Sequence, residues 1–194
     1  MVRAMSIAAD RPMTLAEFLA WEHRQALRYE FDGFRPIVRT GGTIAHAAVQ
    51  HNLHTAMGAR LRGRPCQFFG SDVKVQTGER TSRYPDGIVI CSGPPADATI
   101  VHDPVVIFEV LSDSTASDDY GVKNREYAAM PSVRRYVILH QDSIAGTMFE
   151  RSGDDWIGHV LSAQSVLKMP EIDVEIAMAE LYTGIELAPR QDTG

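Results

Sequence analysis

Two carboxylates and one lysine have the types and spacing to do phosphate chemistry. Glu109 stands inside the apolar, β-branched stretch "PVVIFEVLSDST", between Phe108 and Val110. An ionised carboxylate is costly to bury unless it is paired or holds a metal. Alone, Glu109 reads first as a half-exposed strand residue that faces solvent or pairs with an arginine. A second carboxylate makes the metal reading concrete. Asp86 opens the strand-like run "YPDGIVI", 23 residues earlier. A strand, a loop over "SGPPADATIVHD" and a neighbouring strand fill that interval, so adjacent strands can bring the two carboxylates close. Two such groups repel unless they share a proton or a cation. Hard oxygen donors suit Mg²⁺ or Mn²⁺, which take one or two carboxylates plus waters and phosphate oxygens. Lys123 follows Glu109 by 14 residues, in "DDYGVKNREY". An ammonium there can approach an attacking water or a transition-state phosphate, although by itself it reads as a solvated helix lysine.

The elements that must position these groups are visible in the pattern. "TLAEFLAWEHR" has Thr14 and Glu17 at capping-box spacing and predicts a helix over Thr14 to Arg24. Asp32-Gly33 between two short β-like runs signals a hairpin. Ile44, Val49, Leu53, Met57 and Leu61 recur at helical spacing and predict a long helix from Thr43 to Arg62. "CQFFG", "DVKVQT", "PDGIVIC" and "VVIFEVLS" read as strands, then Asp118 to Met130 as a helix. "RRYVILH", "GTMFER" and "DWIGHVL" are further strands, and "EIAMAELY" reads as a short closing helix. This order, α-β-β-α-β-β-β-β-α-β-β-β-α, points to an α/β or α+β fold with one mixed central sheet flanked by helices.

Composition narrows the class. The 194 residues suit a single domain, expected over 13–182, with loose ends at 1–12 and 183–194. The chain is 44% hydrophobic and 23% charged, ordinary for a globular protein. No apolar run approaches the ~18 residues that span a bilayer, and "MVRAMSIAADRP" has no apolar signal-like core. Cys66 and Cys91 make neither a disulfide framework nor a metal pair by spacing, so a reducing cytoplasm is the expected location. The net charge of −6 gives no support to a broad polyanion-binding surface.

Other constellations weigh less. His51 and His54, with His46 nearby, sit on the long helix, but zinc wants four ligands and no thiolate is available to join them. Ser112 and Ser114 lack the Gly-x-Ser-x-Gly frame of a nucleophile elbow. Arg60, Arg62 and Arg64 in "ARLRGR" read first as a solvated helix end and only second as a phosphate contact.

Seven segments in register then carry a resemblance: "YEFDG", "GGTIAHAAVQHNL", "SDVKV", "YPDGIVI", "PVVIFEVLSDST", "YGVKNREY" and "PSVRRYVIL". Together, from Met13 to Tyr182, the chain resembles the "putative restriction endonuclease" family, domain of unknown function 820, a branch of the PD-(D/E)xK nuclease superfamily. The resemblance implies a restriction-endonuclease-like core, a mixed sheet flanked by helices with the active site at one splayed end. It sets Asp86 at the acidic position after Pro85, and Glu109 at the acidic position of (D/E)xK. Leu111 stands where that motif has lysine, and Lys123 fits the displaced lysine. Glu30 matches a further acidic position and potential metal ligand. His46, rather than His51 or His54, matches the family histidine, because Val49, Asn52 and Leu53 follow it in the usual pattern. Ser112 fits the serine ending the catalytic strand, while Asp113 departs from the common proline. The implied activity is Mg²⁺- or Mn²⁺-assisted hydrolysis of phosphodiester bonds in DNA, with Asp86 and Glu109 as ligands and a homodimer matching the two strands of a duplex. The acidic charge keeps a second class open: a nuclease fold retained as a non-catalytic binding or scaffolding module.

Overall fold

Thr14 starts helix α1 (Leu15–Glu22) with the reciprocal cap that its sequence predicts. Its hydroxyl accepts from the Glu17 N–H, and the Glu17 carboxylate accepts from the Thr14 N–H. The structure, a computed structural model, describes residues 12–39, 41–111 and 116–187. Strands β1 (Tyr29–Phe31) and β2 (Pro36–Val38) form the expected hairpin. Gly33 turns it at φ +92°, a conformation open to glycine, and Asp32 accepts from the Phe34 and Arg35 N–H groups. Helix α2 (Ile44–Leu61) follows its Thr43 cap. Val49, Leu53, Met57 and Leu61 recur at every fourth position and are all buried. Each such side chain contributes about 1.5–3 kcal/mol by leaving water.

The middle of the chain gives β3 (Gln67–Gly70), β4 (Lys74–Gln76), β5 (Ser82–Arg83), β6 (Gly87–Ile90), β7 (Ile100–Val101) and β8 (Val106–Leu111). The expected helix after β8 is built in three pieces: α3 (Ala116–Asp118), a wide π turn over Asp119–Lys123, and α4 (Asn124–Ala129). Strands β9 (Arg135–His140), β10 (Gly146–Ser152), β11 (Asp155–Leu161), β12 (Val166–Met169) and β13 (Val174–Ala177) complete the sheets. Among the described residues, a mixed six-stranded sheet runs β11-β10-β9-β8-β6-β3, with β8 and β9 parallel. A five-stranded sheet runs β2-β1-β5-β4-β7, and β12 pairs with β13.

The six-stranded sheet has a core on each face. Val106, Phe108 and Val110 of β8 pack with α2, whereas Ile107 packs with Tyr127, Tyr136 and Ile138. Side chains alternate along a strand, so Glu109 falls on the face of Ile107, toward the π turn and α4. Gly87 permits a close approach on the opposite face: a Cβ there would lie 2.6 Å from Cζ of Phe68.

Two expectations are corrected. "EIAMAELY" is not a helix; it divides between β13 and a 3-10 segment, Met178–Tyr182. Val174 and Ile176 are buried while Glu175 and Ala177 are exposed, the period of a half-buried strand. Cys66 and Cys91 are not a reduced pair but a disulfide. The β3–β6 register pairs Gln67 with Ile90; one step further along the ladder sets Cys66 opposite Cys91, with Cα atoms 4.0 Å apart. The loose ends fall mostly outside the described residues, and within 183–187 Ile185 and Leu187 pack against the core. No helix among the described residues is long and apolar enough to cross a membrane.

Candidate active site

Strand register explains how the sheet brings two carboxylates together. The β6–β8 ladder pairs Val89 with Val106, Ile88 with Ile107 and Gly87 with Phe108. Continuing it by one residue sets Asp86 beside Glu109. Each is only 3% exposed. The Val110 N–H donates to Oδ2 of Asp86 at 2.7 Å, tying the end of one strand to the other.

The two carboxylates have opposite environments. Asp86 is surrounded by donors: Gln50 at 2.6 Å and Arg39 at 3.4 Å on Oδ1, His46 Nε2 at 3.3 Å on Oδ2. Burial raises its pKa, but the His46 hydrogen bond and charge, the Val110 N–H and Arg39 outweigh that, and the carboxyl lies below its ordinary value. His46 shifts in the complementary sense. Burial lowers its pKa, yet the hydrogen bond and charge of Asp86 and a bond to the Val110 backbone raise it overall. His46 and Gln50 stand four apart on α2 and so share one face, which is why both reach Asp86.

Glu109 instead sits in an excess of negative charge. Lys123 Nζ donates to its Oε1 at 2.9 Å and the Tyr127 hydroxyl to the same oxygen at 3.2 Å. Burial, with the charges of Asp119, Asp86 and Glu30, pushes its carboxyl well above the usual range despite Lys123. Lys123 meets three carboxylates: Asp119 at 2.8 Å, Glu109 at 2.9 Å and Glu30 at 3.9 Å. Burial would lower the lysine pKa, but these carboxylates raise it, so Lys123 stays an ammonium ion. Asp119, Lys123 and Tyr127 line one side of the helical segment, and all three are buried. The π turn over Asp119–Lys123 is the kind of local widening that collects at functional sites.

Glu30 joins from β1. Its Oε1 accepts from the Tyr84 N–H at 3.0 Å and its Oε2 from Arg83 at 3.5 Å. Arg83 is in turn clamped by both oxygens of Glu126, at 2.9 and 2.6 Å. Glu30 thus touches Lys123 from one side and pins the segment leading to Asp86 from the other.

The structure therefore brings together Asp86, Glu109, Lys123, Glu30 and His46. Ser112 lies outside the described residues. His54 turns away, with Nδ1 on the Gln50 carbonyl at 2.9 Å and its ring edge-on to Phe68, and His51 is exposed; no zinc site forms from them. Arg60 is bound by Glu180 and Arg64 by Asp173, as a solvated helix end would be. Gln50, Arg39, Asp119 and Tyr127 escaped sequence reasoning. Only Asp119 and Tyr127 left a trace there, at four-residue spacing on either side of Lys123.

A family model described as Uma2, putative restriction endonuclease, matches residues 15–179. The chain belongs to this family. Two uncharacterized proteins of Synechocystis sp. are similar to this chain. One, slr1290, is 30% identical over 173 residues, covering 87% of this chain and 90% of the relative. The other, sll1609, is 28% identical over 158 residues, covering 79% and 89%. The Uma2 fold seen here is similar to the crystal structure of a putative nuclease of domain of unknown function 820 from Anabaena variabilis. The TM-score is 0.75 at 16% identity, over 89% of this chain and 98% of that one. That likeness establishes the nuclease-like fold.

Proposed function

We propose that this Uma2 protein is a divalent-metal-dependent endonuclease that hydrolyses phosphodiester bonds in DNA. The observation that carries the reading is the pairing of buried Asp86 and Glu109 at adjacent strand ends, with more carboxylate charge than Lys123 can balance. The donor chemistry fits Mg²⁺ or Mn²⁺. The oxygens are hard, His46, Val110 and Arg39 favour the ionised form of Asp86, and a cation would relieve the repulsion that opposes ionisation of Glu109. Among the described residues no group of three or more His, Cys, Asp or Glu is arranged to hold a metal. Mg²⁺ commonly takes one or two carboxylates and completes its shell with water and substrate phosphate.

Asp86 and Glu109 would hold the ion, which when bound supplies Lewis acidity for activating water and for offsetting charge on the phosphoryl oxygens. The carboxylates around Lys123 favour its ammonium form, so it would act as a donor, its N–H groups orienting the attacking water or stabilising the oxyanion. Glu30 and Asp119 hold that ammonium in place. Gln50 and His46 fix the rotamer of Asp86. We assign Glu30 to positioning, since both its oxygens are committed to Tyr84 and Arg83.

The test combines plasmid nicking with calorimetric titration of Mn²⁺ or Mg²⁺. Wild-type protein should bind the ion and cleave, and Asp86→Asn and Glu109→Gln should each abolish both while remaining folded. A folded wild-type protein that binds no divalent ion at millimolar concentration would instead make the chain a non-catalytic nuclease-fold module. A homodimer that offers one site to each strand belongs to the same reading, with sedimentation velocity as its check. So does a cytoplasmic location, where the redox state of Cys66–Cys91 can be measured by thiol labelling of freshly lysed cells.

A further inference from the structure

Beside Asp86 the protein carries a cationic surface that extends beyond the Asp86–Glu109 pair. Tyr84 lies two residues before Asp86, and its ring is fixed at both ends. Its hydroxyl donates to Glu22 at 3.2 Å, and its backbone N–H to Glu30 at 3.0 Å. The guanidinium carbons of Arg28 and Arg39 lie over this ring, at 5.8 and 5.6 Å from its centroid. The two carbons are therefore no more than about 11 Å apart. Two arginines on one rigid aromatic platform, next to a candidate metal ligand, form a surface of fixed shape and charge.

Their present partners leave both available. Asp86 already accepts from Gln50 at 2.6 Å and from the Val110 N–H at 2.7 Å. Arg39, at 3.4 Å, is the longest of its contacts. Among the described residues the Arg39 guanidinium makes one other hydrogen bond, to the Ser71 carbonyl at 3.0 Å. Its planar fork has five N–H donors, so most of them are uncommitted. Arg28 pairs with Asp72, but the two side chains are 49% and 80% exposed, and a pair so open to water contributes little and exchanges readily. Arg60 and Arg64 differ: each is tied to a carboxylate and to backbone carbonyls of the C-terminal segments.

We infer that Arg28 and Arg39, seated on Tyr84, form a phosphate-binding rim that receives the backbone of the nucleic-acid strand entering the Asp86–Glu109 site. The inference rests on the nuclease reading and adds to it the surface that grips the substrate. Arg39 exchanges its long contact with Asp86 for phosphate oxygens, which its fork can take in pairs. Arg28 releases Asp72 and takes a neighbouring phosphate.

The test is fluorescence anisotropy of a short labelled DNA duplex with Ca²⁺ as the divalent ion, across a KCl series. Arg39→Ala should weaken binding about tenfold to a hundredfold, the loss of charge-assisted hydrogen bonds, and the more exposed Arg28→Ala several-fold. Each should flatten the slope of log K against log salt by about 0.9, one phosphate contact. Arg39→Lys should keep the slope and lose part of the affinity, because lysine keeps the charge without the fork. Arg28→Ala, at an exposed position, should melt like wild type, so its effect cannot be ascribed to unfolding. Variants that bind with the wild-type affinity and slope overturn the rim and leave the nuclease reading standing. A loss of affinity with no change in slope overturns it too, since the arginines would then act only through Asp86. A wild-type protein that binds no DNA removes the rim and the nuclease reading together.

Discussion

Lys123→Met should destabilise the protein sharply, and neutralising Glu109 should restore part of the loss. Lys123 is 6% exposed and faces Asp119 at 2.8 Å, Glu109 at 2.9 Å and Glu30 at 3.9 Å. Methionine fills a similar volume but leaves those carboxylates without their cation. Removing one partner of a buried ion pair costs about 3–5 kcal/mol. For a chain of this length each kcal/mol moves the melting temperature by roughly 2–4 °C, so the midpoint should fall by roughly 6–20 °C. Glu109→Gln alone should be neutral or stabilising at pH 8, because it removes a carboxylate whose ionisation is opposed by burial and by its neighbours. Among the described residues two carboxylates, Asp119 and Glu109, lie within hydrogen-bond distance of Lys123, so the double variant should recover about half of the loss, a coupling within the ~0.5–3 kcal/mol seen for contacting residues. Thermal melts of the four proteins at pH 8, followed by circular dichroism, complete the cycle. If Lys123→Met melts within a degree or two of wild type, or the two substitutions simply add, the ammonium does not hold these charges and the site's electrostatics are misassigned.

Other consequences follow from the same geometry. The metal-free protein should be most stable in mild acid. Glu109 and His46 both have raised pKa values, so their contribution is present below the ordinary values of 4.5 and 6.5 and is lost as pH rises above them. Asp86, with a lowered pKa, contributes above 3.8 and loses that contribution as pH falls through its folded value. Melts across pH should therefore decline toward pH 8, and Mg²⁺ or Glu109→Gln should flatten the decline; an unchanged slope would contradict the assignment. Glu30→Gln should lower kcat more than it raises KM and leave ion affinity within a few-fold, whereas loss of ion binding would make Glu30 a ligand. Reducing Cys66–Cys91, which closes a span of 25 residues, should cost about 2–4 kcal/mol, read as a lower melting midpoint in the presence of a phosphine reductant.

Much of this architecture was legible in the residues because its signals are local. The Thr14–Glu17 cap, the Asp32-Gly33 hairpin and the four-residue recurrence along α2 each specify an element without help from the rest of the chain. Glu109 stood out for the same reason, as one carboxylate in an apolar strand, and Asp86 because it began the strand before. What escaped detection depends on distant partners. β5 and β7 are two-residue strands defined by their neighbours, too short for any period to show. The disulfide follows from the β3–β6 register, which spacing cannot supply. Arg39 reaches Asp86 across a hairpin, 47 residues away in sequence. Val174, just before "EIAMAELY", and Ile176 within it carry the strand's alternation, but Met178, Leu181 and Tyr182 in the same segment mimic a helical face.

The most direct measurement is anomalous scattering from a crystal soaked in Mn²⁺. The account predicts one strong peak between Asp86 and Glu109, about 2 Å from an oxygen of each, absent from crystals of Glu109→Gln. Saturating Mn²⁺ that leaves no peak between them, with Lys123 still seated on Glu109, would contradict it.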